Sequence, residues 1–280
     1  MPLSWMAVVL FAAALHASWN AVIKAGDDKF HDTVLVTLGS ATVGALLLPW
    51  IALPAPASRP YLIASVIIHI GYFSLIAIAY RLGDMSYLYP LMRGAAPMLT
   101  ALVARVVVAE PLTPGGKIGV ALLSSGILLL TSEAWWSRKV SFAPTAVGLL
   151  NAVVISTYTV VDGIGLRLSG NPWSYVAWFF LFQPVPFIAF FVLSRRRRFL
   201  EHVKRRWRVG AIVGLCTFTS YGLALYAMAY IPIALVAALR ETSVIFGAAI
   251  AAIFLGERFG PMRYAAALLV AAGAAAMKIF

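Results

Sequence analysis

Ionisable and amide side chains interrupt long runs of Ala, Leu, Val, Ile and Phe, and they are where this chain could do chemistry. They are His16, Asn20, His69, Arg93, Arg105, Asn151, Asp162, Arg240 and Glu241, with Glu110 and Glu257 beside helix-breaking residues. Holding a charge inside about 20 apolar residues costs roughly 2.5–3.5 kcal/mol or more in hydrocarbon, so each one is a candidate site. Two guanidinium groups, Arg93 and Arg240, would present paired donors suited to a carboxylate or a phosphate. The competing reading is that each pins a neighbouring helix through carbonyls or an acid. Glu241 diverges from Arg240 by about 100° around a helix, which leaves it to bind an amine, carry a proton or pair with Arg93. His16 and His69 are further proton carriers by residue type, although a histidine on an apolar face is commonly a hydrogen-bonded packing group. Trp19, Tyr89, Tyr158 and Tyr226 add ring faces for a flat or cationic ligand. Together with Asn20, Arg93, Arg240 and Glu241 they form the candidate binding set. Tyr80, Tyr87 and Tyr230 read as an interfacial belt, Arg105 as a snorkelling end residue, and Asp162 as a solvated one. Glu110 and Glu257 read as acceptors for reversing turns.

The elements that must position these groups are membrane helices. The chain is 62% apolar and 11% charged, against roughly 45–50% and 25% in soluble domains. Windows of about 19 residues place ten spans, at 3–24, 33–53, 61–80, 86–109, 116–132, 143–162, 173–194, 209–230, 232–255 and 261–279. Turn clusters such as Ala25-Gly26-Asp27-Asp28, Leu82-Gly83-Asp84 and Gly170-Asn171-Pro172 separate them. The net charge of +12 is concentrated: eight of the 22 basic residues lie at Arg195 to Arg198, Lys204, Arg205, Arg206 and Arg208. Between two spans, that cluster reads as a cytoplasmic loop near anionic headgroups, not as a nucleic-acid site. Loops after odd-numbered spans hold fifteen Lys and Arg and the others three, so both termini are expected to face away from the cytoplasm. Cys216 is the single cysteine, which rules out an internal disulfide, and no metal-ligand spacing occurs. HExxH, GxSxG and GxxxxGK[ST] are absent. The chain is therefore expected to use no metal, no cofactor and no ATP of its own, and not to be an enzyme.

A shift of 147 residues aligns Arg93 to Gly126 with Arg240 to Gly273 without a gap, pairing Arg93 with Arg240, Glu110 with Glu257, Pro114 with Pro261 and Gly126 with Gly273. Two halves of five spans each, 1–137 and 138–280, would enter the membrane from opposite sides. That inverted repeat is a recurring architecture of secondary transporters. At this point the chain resembles the drug/metabolite transporter superfamily and, within it, the ten-helix EamA-like proteins. The resemblance rests on Leu255-Gly256-Glu257-Arg258-Phe259-Gly260-Pro261, its degraded copy Ala109-Glu110-Pro111-Leu112-Thr113-Pro114, Tyr89-Pro90-Leu91-Met92-Arg93-Gly94 and Ser18-Trp19-Asn20. It implies a cavity lined by the first four helices of each half, with the fifth outside, and a substrate ranging from amino acids and drugs to nucleotide sugars. The expectation is an all-α integral membrane transporter in a cell membrane, the bacterial inner membrane above all. It would export a small anionic or zwitterionic metabolite or drug by alternating access, drawing on an ion gradient through His16, His69 or Glu241, or on exchange. A flippase for lipid head groups or lipid-linked sugars is the alternative, followed by a membrane-embedded lipid-processing enzyme. The alanine-rich last span offers a close-packing face, within the chain or in a homodimer.

Overall fold

The computed structural model describes residues 1–24, 28–132, 141–255 and 260–279. Glu257, Arg258, Arg138, Lys139 and the expected 137/138 boundary between halves lie outside the described residues. Among those described, the regular elements are helices: α1 (Leu3–Lys24), α2 (Lys29–Leu47), α3 (Arg59–Leu82), α4 (Met85–Val107), α5 (Pro114–Leu129), α6 (Phe142–Arg167), α7 (Pro172–Phe182), α8 (Val185–Met228), α9 (Ile233–Arg240), α10 (Ser243–Leu255) and α11 (Pro261–Ile279). Proline opens α5, α7, α8 and α11 within their first two positions, where its missing N–H would have no helical partner anyway. Among the described residues, eight stretches are long and apolar enough to cross a bilayer. They are Leu3–Ile23, His31–Trp50, Pro56–Ala79, Tyr87–Val107, Phe142–Arg167, Phe199–Met228, Ile233–Ile250 and Pro261–Ile279. At 16 and 11 residues, α5 and α7 fall short of that length.

Four expectations change. The basic stretch is not a loop: α8 runs unbroken through it for 44 residues, about 66 Å at 1.5 Å per residue, twice the roughly 30 Å hydrocarbon core. Arg and Lys are good helix formers, and no Gly or Pro occurs between Pro186 and Gly210 to interrupt them. The span expected at 173–194 is instead divided at Gln183-Pro184 between α7 and the start of α8. The span expected at 232–255 is broken after Arg240, where Glu241 and Thr242 form a turn. Tyr87 is also not a belt residue: it is buried, its hydroxyl 3.1 Å from Thr145 Oγ1.

Small residues bring the helices together. A Cβ at Gly119 of α5 would lie 2.8 Å from the Gly273 carbonyl of α11, and a Cβ at Gly273 would lie 2.8 Å from the Gly119 carbonyl. Only glycine permits that approach from both sides. Gly39 of α2 and Gly214 of α8 meet in the same way. The last span thus spends its small-residue face on α5, where Ala266, Gly273 and Ala274 are buried. Separately, α4 packs on α6 and on α9 around one interior in which the charged groups meet.

Candidate functional site

Arg93 sits in α4 between two internal prolines, Pro90 and Pro97. Pro97 has no N–H to return to the Arg93 carbonyl, which loosens the helix at the charged residue. Opposite it, α9 ends at Arg240 and α10 begins at Ser243. The intervening turn is tightened by Glu241 N–H to the Ala238 carbonyl at 3.0 Å and Thr242 N–H to the Leu239 carbonyl at 3.1 Å. The break sets the Arg240 cation at the negative end of one helix and the Glu241 anion at the positive start of the next, each favourable for its charge. Broken helices of this kind are tolerated at membrane depth where the freed backbone is buried in protein or lines a cavity.

Across that interior Arg93 Nε stands 2.7 Å from Glu241 Oε2. The two residues, on α4 and between α9 and α10, are 6% and 4% exposed. Of the readings open for Glu241, pairing with Arg93 is the one the closed geometry displays. The contact is an ion pair by distance without hydrogen-bond alignment: Arg93 Nε and Nη2 and Glu241 Oε2 are all buried without a hydrogen-bond partner among the described residues, so the guanidinium keeps donors in hand. Arg240 turns to the ring of Tyr221 on α8, its Cζ 4.7 Å from the centroid, a cation–π contact. Arg93, Arg240, Glu241, Tyr158, Thr100 and Thr159 line a cavity of about 10 Å³, room for about one water.

The other expected residues divide. Tyr158 lines the cavity, and His69 of α3 packs on it with ring centroids 4.2 Å apart. His69 Nδ1 stands 2.8 Å from the Ser65 carbonyl; a carbonyl only accepts, so that nitrogen carries the hydrogen. His16 meets Trp19 edge to face at 5.0 Å and lies within the electrostatic reach of both arginines. Asn20 spends its Nδ2 on the His16 carbonyl at 2.8 Å, while Trp19 Nε1 is buried without a partner among the described residues. Tyr89 is half-buried and within reach of Arg93. Tyr226 stands apart, stacked on Trp173 at 5.4 Å and tilted against Trp5 at 5.8 Å.

Asp162, read from the sequence as a solvated end residue, and Asp32, not singled out there, add two further buried acids. Asp162 is not a solvated end residue: α6 continues to Arg167, and Asp162 is 0% exposed. It accepts hydrogen bonds from Tyr175 Oη at 2.8 Å and Tyr221 Oη at 2.6 Å. Near the end of α2 that starts at Asp28, Asp32 accepts from His202 Nε2 at 2.8 Å and faces Arg206 Nη1 at 3.2 Å, tying α2 to the basic stretch of α8. Glu110 behaves as expected of a turn acceptor. Its carboxylate takes the Ile233 N–H at 2.8 Å and Arg167 Nη2 at 2.7 Å.

Comparison with known proteins bears on what such an interior is for. Residues 145–278 match the model of the EamA-like transporter family. The chloramphenicol-sensitive protein RarD of Pseudomonas aeruginosa is 26% identical over 227 residues, covering 80% of this chain and 70% of that protein. Over its second half the chain is thus similar to EamA-like transporters, and over most of its length to RarD. A solved crystal structure with 19% identity superposes with a TM-score of 0.74 over 99% of this chain and 96% of its own, so the fold extends over the whole length. Together with the chain's long apolar helices, this likeness supports a multi-pass membrane protein of the transporter type.

Proposed function

We propose that this chain is a secondary active transporter exporting a small anionic or zwitterionic metabolite or drug, with Arg93, Arg240 and Glu241 as the centre of its site. The observation that carries this reading is the buried Arg93–Glu241 pair with Arg240 alongside. Two cations share one acid at the cavity, and an anionic group of the substrate would supply the missing partner. Glu241 would then be freed for an amine when Arg93 turns to the substrate. Trp19, Asn20, Tyr89 and Tyr158 serve as surrounding walls, and the Tyr226 cluster as a separate aromatic surface.

Alternating access of two inverted five-helix halves, ten spans in all, belongs to the same reading. Its support is a reciprocal contact. Under the 147-residue shift the pair Gly119–Gly273 maps onto Ala266–Gly126, and a Cβ at Gly126 would indeed lie 2.9 Å from the Ala266 carbonyl. Contacts that map onto each other in this way are what a two-fold relation between halves produces. Both termini on the non-cytoplasmic side of a bacterial inner membrane, and coupling to an ion gradient or to exchange, complete the proposal.

The test is a thermal-shift screen of purified protein against amino acids, organic acids, sugar phosphates, nucleosides and cationic drugs, with Arg240→Gln beside the wild type. A ligand that binds the folded state raises its apparent stability by mass action. An anionic or zwitterionic hit lost in Arg240→Gln, at unchanged unliganded stability, supports the site. A hit confined to cationic drugs and retained in the variant would move binding to the aromatic surface.

A further inference from the structure

Tyr221 faces two ways. Its ring carries the guanidinium of Arg240, which lines the cavity, while its hydroxyl holds Asp162 at 2.6 Å. One rigid side chain therefore links a cavity cation to a buried acid that the cavity does not touch. The interior then balances: Arg93 against Glu241 by direct contact, Arg240 against Asp162 through Tyr221. In a low-dielectric interior that balance is strongly enforced. When Arg240 leaves Tyr221 for a negatively charged substrate, Asp162 loses its cation and the site gains a negative charge.

We propose that Asp162 is a proton-binding site of this transporter, filled as Arg240 moves from Tyr221 to the anionic group of a substrate. The proposal rests on the anion-binding reading above and adds the ion that accompanies the anion. Glu241 is the poorer host, because protonating it would dissolve its 2.7 Å contact with Arg93. Asp162 can accept the proton without losing a hydrogen bond. A proton from solvent bonds to Oδ1, that hydroxyl donates to Tyr175 Oη in place of accepting from it, and Tyr175 rotates its own hydrogen off Oδ1. No other bond forms or breaks. Phenols both donate and accept, so the cage fits the charged and the neutral acid alike. The titratable and charged groups facing Asp162 are His69 of α3, Tyr158 of its own helix, Tyr175 of α7, Tyr221 of α8 and, beyond the Tyr221 ring, Arg240 of α9. Arg240 is the one among them that carries a positive charge at every working pH.

The experiment needs no substrate. Infrared difference spectra are recorded at neutral pH on protein in lipid nanodiscs, with aspartate carboxyls labelled with carbon-13 so that aspartic-acid bands separate from those of glutamate. Removing the cation by Arg240→Gln imitates its departure. The expected result is a labelled carboxylic-acid band, weak or missing in the wild type, that appears in Arg240→Gln and is lost in Arg240→Gln/Asp162→Asn. Tyr221→Phe keeps the ring but withdraws one donor from the carboxylate, and it is expected to raise the same band. That arm decides the matter if Arg240→Gln does not elute as a monodisperse species. The proposal is overturned if no labelled band appears in whichever variants fold, or if the band survives Asp162→Asn. An anionic hit in the thermal-shift screen with no aspartic-acid band would retain the binding reading and remove the proton site. A band without an anionic hit would do the reverse.

Discussion

The Arg93–Glu241 pair makes a prediction of its own, because removing half of a buried ion pair costs more than removing both partners. Arg93→Gln leaves a carboxylate 4% exposed without its cation and should destabilise the protein by about 3–5 kcal/mol. The double variant Arg93→Gln/Glu241→Gln should recover most of that, and thermal unfolding of the three proteins in one detergent would measure the coupling. Equal losses in the single and double variants would mean that the pair contributes nothing beyond packing. The arginines are legible in the sequence because intramembrane charge is rare and expensive. Asp162 is not, because its reading depends on where α6 stops: the expected end at 162 lies five residues short of the observed end at Arg167, more than a helical turn. Local hydropathy falls before Asp-Gly whether or not the helix continues. Tyr175 and Tyr221 lie 13 and 59 residues from Asp162, a pairing no spacing rule supplies.

At the scale of elements, Glu110 works as a latch between helix ends. It follows Ala109, whose φ of 54° lies in the left-handed region, disfavoured for a residue with a Cβ. That turn aims the carboxylate at the first N–H of α9 and at Arg167 of α6. Arg167 in turn donates Nε to the Met228 carbonyl at 2.8 Å and Nη2 to the Ile231 carbonyl at 3.2 Å, so the junctions of α4, α6, α8 and α9 share one network. Glu110→Ala should cost about 1 kcal/mol by removing the acceptor of the part-buried Ile233 N–H. Adding Arg167→Ala should cost less than its own single effect, since both break the same link; additive melting-temperature losses would argue against a latch. Asp28 caps α2 by accepting the His31 N–H at 3.1 Å. That bond chiefly, with the His31 ring, holds its carboxyl below the ordinary aspartate range. A depressed carboxyl stabilises the fold above its unfolded value, about pH 4, and loses that contribution as pH falls through the lowered one. Asp28→Ala should therefore cost about 1 kcal/mol at neutral pH, with the gap to wild type closing in acid. A gap that persisted unchanged in acid would assign the effect to packing. The basic run of α8 shows where element reading stops: the same arginines that signal membrane sidedness are helix formers, and hydropathy records the first property while remaining blind to the second.

For the molecule as a whole, the Arg93–Glu241 contact joins α4 to the α9–α10 break across a cavity of about 10 Å³. A metabolite does not fit there, so transport requires these elements to part, and the ion pair opposes the parting. Weakening the pair should therefore open the cavity more often. Removing one partner of a buried ion pair costs several kcal/mol, and each 1.4 kcal/mol is about tenfold in population. Cys216 is the single cysteine, so Cys216→Ser yields a blank chain for labelling. In that background Thr100→Cys, at a cavity-lining position 1% exposed, should react slowly with a membrane-impermeant thiol reagent, and about tenfold faster or more once Glu241→Gln is added. If the two halves exchange access around this site, the reagent must reach the introduced thiol from either face of a sealed vesicle, in separate fractions of time. Labelling from one face only, in both backgrounds, would leave a site that opens without alternating and would remove the functional meaning of the 147-residue repeat.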